Sequence, residues 1–160
     1  AIATRNISLL DHIARYARLR LSAPVLGQEF ATRALLLPGG YHESVRQTFA
    51  NRRDLLQRRL HTMEQVVFHA PEGAFYFMVK LPIDDCEHFC AWLLTDFQLA
   101  GSTVMLSPGT SFYTTPGRGR QEVRMAYVVD VEELDRAMNC LAEALDHYPC
   151  RQALAPANEG

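Results

Sequence analysis

Lysine is nearly absent from this chain. Of 16 basic residues only Lys80 is a lysine, and the other 15 are arginines. Any chemistry that needs a side-chain amine must use Lys80 or take the group from elsewhere. Long apolar runs are absent too: none could span a membrane, and no signal-peptide pattern opens the sequence. That reads as a cytoplasmic protein without a membrane partner. An excess of one charge is also missing. A formal net charge of −2 leaves no electrostatic footprint for nucleic acid. Cysteine is limited to Cys86, Cys90, Cys140 and Cys150, and none has zinc-type spacing to a histidine. Reduced thiols and no metal site are expected. Internal repeats and low-complexity segments do not occur.

What is present suits an ordinary globular core. With 160 residues and 48% hydrophobic content, the chain is long enough to bury one. Ala1 to Thr4 reads as the end of a strand with no start signal before it. Asn6 is placed to cap a helix through about Leu19. Ser22-Ala23-Pro24 interrupts, and Pro24 suits the first turn of a second helix to about Leu37. After Pro38-Gly39-Gly40 a long helix runs from about Tyr41 to Met63. Val45, Phe49, Leu56 and Leu60 form its apolar stripe, opposite Arg52, Arg53, Arg58 and Arg59, which read as a solvated face.

Val66 to Phe68 and Ala74 to Leu81 follow as strands, separated by a turn at Pro71-Glu72-Gly73. Asp84 or Asp85 caps a helix to about Gln98, and Asp130 caps a last one to about Tyr148. Helices therefore alternate with strand pairs from Phe49 onward, an α/β or α+β layer on a small sheet. From Pro149 the chain reads as a frayed tail.

The stretch Val104 to Tyr127 carries the chemistry. Val123, Met125, Tyr127 and Val129 alternate with Arg124, Ala126 and Val128 at the period of a strand. A guanidinium between Val and Met is costly to bury unless an anion meets it. Its planar fork suits a carboxylate held by two hydrogen bonds. Arg124 reads either as a carboxylate-binding residue or as a rim arginine in a salt bridge.

Several motifs occur in a recognisable order. Pro71-Glu72-Gly73-Ala74-Phe75-Tyr76 is followed by Val104-x-x-x-Pro108-Gly109-x-x-Phe112, and then by Val123-Arg124-Met125-Ala126-Tyr127 before a final helix. Ser22-Ala23-Pro24-x-x-x-Gln28 and Arg52-Arg53-Asp54 precede them. Together they resemble the C-terminal part of class I/II aminotransferases, the fold-type I enzymes dependent on pyridoxal phosphate, and most of all the aspartate aminotransferase branch.

The resemblance covers residues 1–148. It implies a fold in which 1–45 is the end of the large cofactor-binding domain, 46–148 the small domain on a mixed sheet, and 149–160 a flexible tail. It also implies a homodimer in amino-acid metabolism. Arg124 matches the family arginine that binds the substrate α-carboxylate. Phe75 matches an aromatic lining the substrate entrance, with a core strand residue as the other reading. Pro108 and Gly109 match a turn with a geometric role. Arg18 stands where some aspartate aminotransferases place an arginine that grips the side-chain carboxylate in the neighbouring subunit. Arg15 and Arg20 are nearby, and a solvated arginine is the alternative.

The family's Schiff-base lysine, its phosphate-binding arginine, its glycine-rich cofactor loop and its pyridine-pairing aspartate have no match in these residues. Lys80 is out of place for the lysine and reads as a rim residue. The resemblance thus implies a C-terminal fragment that is inactive alone, with no catalytic or cofactor-binding residue of its own. Its substrate in the parent enzyme would be an amino acid and a 2-oxo acid, aspartate foremost. The alanine, aromatic and aminocyclopropane-carboxylate types stay open. A free-standing carboxylate-binding or dimerisation module is the alternative of a different class.

Overall fold

The computed structural model describes residues 4–152. Two compact units divide the chain, Ala1–Ser44 and Val45–Gly160. The expected strand end at residues 1–3 lies outside the described residues.

The first unit holds two complete helices. Helix α1, Ile7–Leu19, starts where the Asn6 side chain accepts a hydrogen bond from the Leu9 N–H, satisfying one of the free amides of the first turn. Helix α2, Val25–Leu35, follows Pro24, whose fixed φ of −55° suits the position before a helix. Neither helix has a buried residue. Ile7, Leu19, Val25, Leu26 and Phe30 are all more than two-thirds exposed.

Helix α3 spans Gly39–His61, and its portion from Val45 belongs to the second unit. There Leu56 and Leu60 are fully buried and Phe49 packs on the core. The sheet has strands β1 (Val67–Phe68), β2 (Tyr76–Lys80), β3 (Ser107–Pro108) and β4 (Glu122–Ala126), in the spatial order β1-β2-β4-β3. Every pairing is antiparallel, where a mixed sheet was expected. Helix α4 (Cys86–Thr95) carries the chain from β2 to β3, which runs in the same direction as β2, but β4 lies between the two and pairs antiparallel with both. Asp85, not Asp84, caps α4, accepting from the Glu87 and His88 amides. Helix α5, Val131–His147, is capped by Asp130.

Strand alternation sorts the sheet into two faces. Phe77, Val79, Val123 and Met125 point to the core, and all are at most 4% exposed. They meet Leu134, Met138, Leu141 and Leu145 of α5 and Phe89 and Leu93 of α4 in a single hydrophobic cluster. Phe49, Phe77 and Tyr127 stack edge to face at its centre. Each such buried large side chain contributes about 1.5–3 kcal/mol of transfer free energy.

Two expectations change here. The arginines of α3 are more than a solvated face. Arg52 donates to the Val128 carbonyl at 3.0 Å, and Arg59 pairs with Asp135 of α5 at 3.2 Å. That ion pair lacks hydrogen-bond geometry at Arg59 Nε, a buried atom whose contact with Asp135 is electrostatic alone. The chain is also not frayed from Pro149. Ile83 bridges Arg151, and the Gln152 N–H donates to the Pro82 carbonyl at 3.0 Å. Residues 153–160 lie outside the described residues.

Candidate functional site

Arg124 sits on the outer face of the sheet. The register places it opposite Met78 of β2 and Ser107 of β3, with Glu122 and Ala126 on the same face. Its guanidinium carbon lies 5.0 Å from the Phe112 ring centroid and 5.5 Å from that of Tyr76. Its polar contact is long, from Nη2 to Ser107 Oγ at 3.4 Å. Among the described residues no carboxylate pairs with it. The nearest carboxylate along its own strand, Glu122, instead accepts from the Tyr113 phenol. That bond, then burial, holds the Tyr113 hydroxyl above its ordinary pKa. A cation framed by two π faces and left without a counter-charge is equipped to receive an anion. The rim salt bridge that was the other reading of Arg124 does not occur among the described residues.

The loop before β4 is shaped by close backbone approach. Gly109 N–H donates to the Glu122 carbonyl at 2.8 Å, and a Cβ on Gly109 would come within 2.5 Å of that oxygen. Gly119, at a φ of +76°, packs against Gly109 with its own would-be Cβ 2.8 Å from the Gly109 carbonyl carbon. Only glycine allows both approaches. Together they carry the 3-10 turn Thr110–Phe112, and so the Phe112 ring, over Arg124.

Phe75 lies just before β2, 53% exposed, with its ring edge-on to Tyr76 at 5.9 Å. Its carbonyl accepts the Tyr127 N–H at 2.9 Å, and the Tyr127 phenol donates to Ala74. Phe75 is therefore not a core strand residue; it and Arg124 share Tyr76 as a neighbour. Arg18 is on α1 in the other unit, exposed and without an ion pair among the described residues. Sequence reasoning did not single out Tyr76, Tyr113 or Ser107; strand pairing brings Tyr76 and Ser107 to Arg124, and Tyr113 reaches Glu122 on the same strand from the loop before it.

Pyridoxal phosphate does not fit these residues by themselves. Lys80 stands opposite Glu122 on the outer sheet face, half-buried, beside a cleft of about 520 Å³ lined by Tyr76, Met78, Tyr113 and Glu122. No buried, unpartnered polar group faces that cleft. The buried side-chain atoms without a hydrogen-bond partner among the described residues are Arg52 Nε and Arg59 Nε, both on α3. A larger hollow, about 640 Å³, is lined mostly by apolar side chains, Leu56, Met105, Leu106, Met125 and Met138 among them, with Glu133 and Arg136 as its charged members.

Residues 1–141 match the sequence profile of the family described as aminotransferase class I and II. The chain belongs to that family. An aspartate aminotransferase of Thermotoga maritima is 30% identical over 145 residues, covering 91% of this chain and 31% of that protein. One of Pyrococcus horikoshii is 32% identical over 107 residues, covering 65% of this chain and 25% of the relative. Among solved structures, an alanine aminotransferase from Pyrococcus furiosus superposes with a TM-score of 0.65 at 25% identity, covering 87% of this chain and 34% of that one. The chain thus spans about a third or less of the length of these aminotransferases. The small α/β unit with its four-stranded sheet has the fold of the corresponding part of such enzymes.

Proposed function

We propose that this chain is the substrate-gripping C-terminal portion of a pyridoxal-phosphate-dependent aminotransferase, and that Arg124 binds the α-carboxylate of its amino-acid and 2-oxo-acid substrates. The observation that carries this reading is the Arg124 guanidinium: framed by Phe112 and Tyr76, fixed on a strand, and without a carboxylate partner. Two parallel N–H donors would hold the carboxylate in one orientation. The flanking rings exclude water and strengthen that bond. Phe75, projecting beside Tyr76, forms an apolar wall for the entering substrate. In this reading 46–148 is the small domain that closes on substrate, 1–45 belongs to the large domain, and the cofactor with its lysine is supplied by other residues of the parent enzyme.

Aspartate is the substrate we infer, with Arg18 of the neighbouring subunit meeting the second carboxylate. The aspartate aminotransferases among its relatives support this choice, while the alanine aminotransferase keeps a monocarboxylic substrate in play. The exposed apolar side chains of α1 and α2 are then interface residues of a homodimer, a role that suits helices with no buried residue.

The test is borohydride trapping of the full chain incubated with pyridoxal phosphate, read by intact mass, together with an NMR titration of the Arg124 side chain with aspartate. The reading expects no specific adduct, and a saturable Arg124 shift that disappears in Arg124→Met. A stoichiometric adduct at Lys80 with amino-acid-dependent absorbance would make the chain a small cofactor enzyme in its own right. No Arg124 response would favour a purely structural module.

A further inference from the structure

Within the second unit, three side chains of different chemistry converge. Asp84 in the loop after β2, His88 in the first turn of α4 and Cys150 beyond α5 each offer a ligand atom, and these atoms all lie within 4.8 Å of one another. The convergence is built by the backbone. The Ile83–Arg151 bridge and the Gln152–Pro82 hydrogen bond lay the segment after α5 against the segment before α4. Cys150 is thereby brought beside residues more than sixty positions earlier.

Beneath the three lies a buried phenol. Tyr148, 3% exposed, donates from Oη to Asp84 Oδ1 at 2.6 Å, and the same oxygen is 2.7 Å from His88 Nδ1. A hydroxyl has one proton. With that proton given to the carboxylate, the contact to His88 is a hydrogen bond only if Nδ1 carries the hydrogen. The imidazole is then the tautomer with its lone pair on Nε2. An outer group that sets the histidine tautomer and steadies a carboxylate is what supports metal ligands elsewhere in proteins.

We propose that Asp84, His88 and Cys150 form a zinc site, with one carboxylate oxygen, one imidazole nitrogen and one thiolate as ligands and water in the fourth position. The mixed O, N and S set is what zinc takes at about 2.0–2.3 Å, and the thiolate disfavours magnesium and calcium. Tetrahedral ligands at such distances are roughly 3.5 Å apart. With His88 exposed and Asp84 and Cys150 half-buried, the side chains can close from 4.8 Å by small rotations. The positive end of α4 opposes a cation here. Two anionic ligands offset it, and the neighbouring Arg151 is already ion-paired with Asp146 at 2.6 Å. The ion would clamp the segment after α5 to the start of α4. Cys150 lies beyond the 1–141 family match, so the site is a feature of this chain rather than of the aminotransferase match. It is independent of the carboxylate site around Arg124.

The experiment is titration of the full, metal-free chain under reducing conditions with cobalt(II) as a spectroscopic probe, followed by competition with zinc. One equivalent should produce a thiolate-to-cobalt charge-transfer band in the near ultraviolet, displaced by zinc. Cys150→Ser should abolish the band, and His88→Ala should weaken zinc binding by at least a hundredfold. Tyr148→Phe, which removes only the supporting hydroxyl, should weaken it by about 10- to 100-fold. Absence of the charge-transfer band in the unsubstituted chain overturns the proposal, as does a band that survives in folded Cys150→Ser. Reading the unsubstituted chain first makes the result independent of how any variant folds.

Discussion

Arg124 and Phe112 face each other across the loop before β4, guanidinium carbon 5.0 Å from ring centroid, with no carboxylate among the described residues paired to the charge. A lysine could keep the charge but not the planar fork or the stacking. On the proposed function, Arg124→Lys in the complete enzyme should lower kcat/KM by roughly 30- to several-thousand-fold, the cost of about 2–5 kcal/mol for breaking a desolvated charged pair. Steady-state kinetics with aspartate and its 2-oxo acid checks this. Phe112→Ala should cost less, about 0.5–2 kcal/mol, through the lost ring face.

Tyr113 should influence the same site without touching substrate. Its hydroxyl engages Glu122, which shares the outer face of β4 with Arg124. Tyr113→Phe frees that carboxylate to compete for the guanidinium. The expected result is a raised KM with little change in kcat, and a double variant that also carries Glu122→Gln should recover KM.

Gly109 is required by contact, not by its φ of −75°. An alanine methyl would sit 2.5 Å from the Glu122 carbonyl, so β3 and β4 must part to accept it. Gly109→Ala should cost about 1–3 kcal/mol in urea unfolding. Gly73→Ala, where a Cβ meets nothing within 4 Å, is the matched control and should change the midpoint little.

The thiols should separate by reactivity. Burial pushes the Cys90 thiol up to about 12, with Cys86 and Glu87 nearby adding to the shift, and burial also raises Cys140. At pH 8 Cys90 is then thiolate in only about one part in ten thousand. Cys150, half-buried, should alkylate first and Cys90 only on unfolding, as read by mass spectrometry over time.

Alkaline titration should show tyrosines that resist ionisation. Burial raises Tyr127 and Tyr148, the latter also through its bond to Asp84, and Glu122 raises Tyr113. A phenol whose folded pKa is raised stabilises the fold fully below its unfolded value, near 10.0, and loses that contribution as pH climbs through the folded value. Unfolding free energy should therefore fall above pH 10, and the late phenolate absorbance should appear together with the loss of helical circular dichroism.

Much of the architecture was legible because it depends on neighbours in sequence. Asn6, Asp85 and Asp130 cap helices through amides two or three residues on, and the period-2 pattern around Arg124 assigns its strand and its outward face. Local chemistry decided these. The order of the small-domain motifs likewise pointed to class I/II aminotransferases, the family whose profile residues 1–141 match, and it named Arg124 as the candidate for a carboxylate. What it could not give was the company Arg124 keeps. Tyr76 and Ser107 reach it through pairing across strands 48 and 17 residues away in sequence, and Phe112 arrives only because Gly109 and Gly119 let two backbones touch. The antiparallel sense of the sheet, the ties of Arg52 and Arg59, and the meeting of Asp84, His88 and Cys150 are of the same kind. Each depends on where distant segments dock, and docking is settled by the shared core of Phe77, Val123, Phe89 and Leu141 rather than by any stretch of sequence alone.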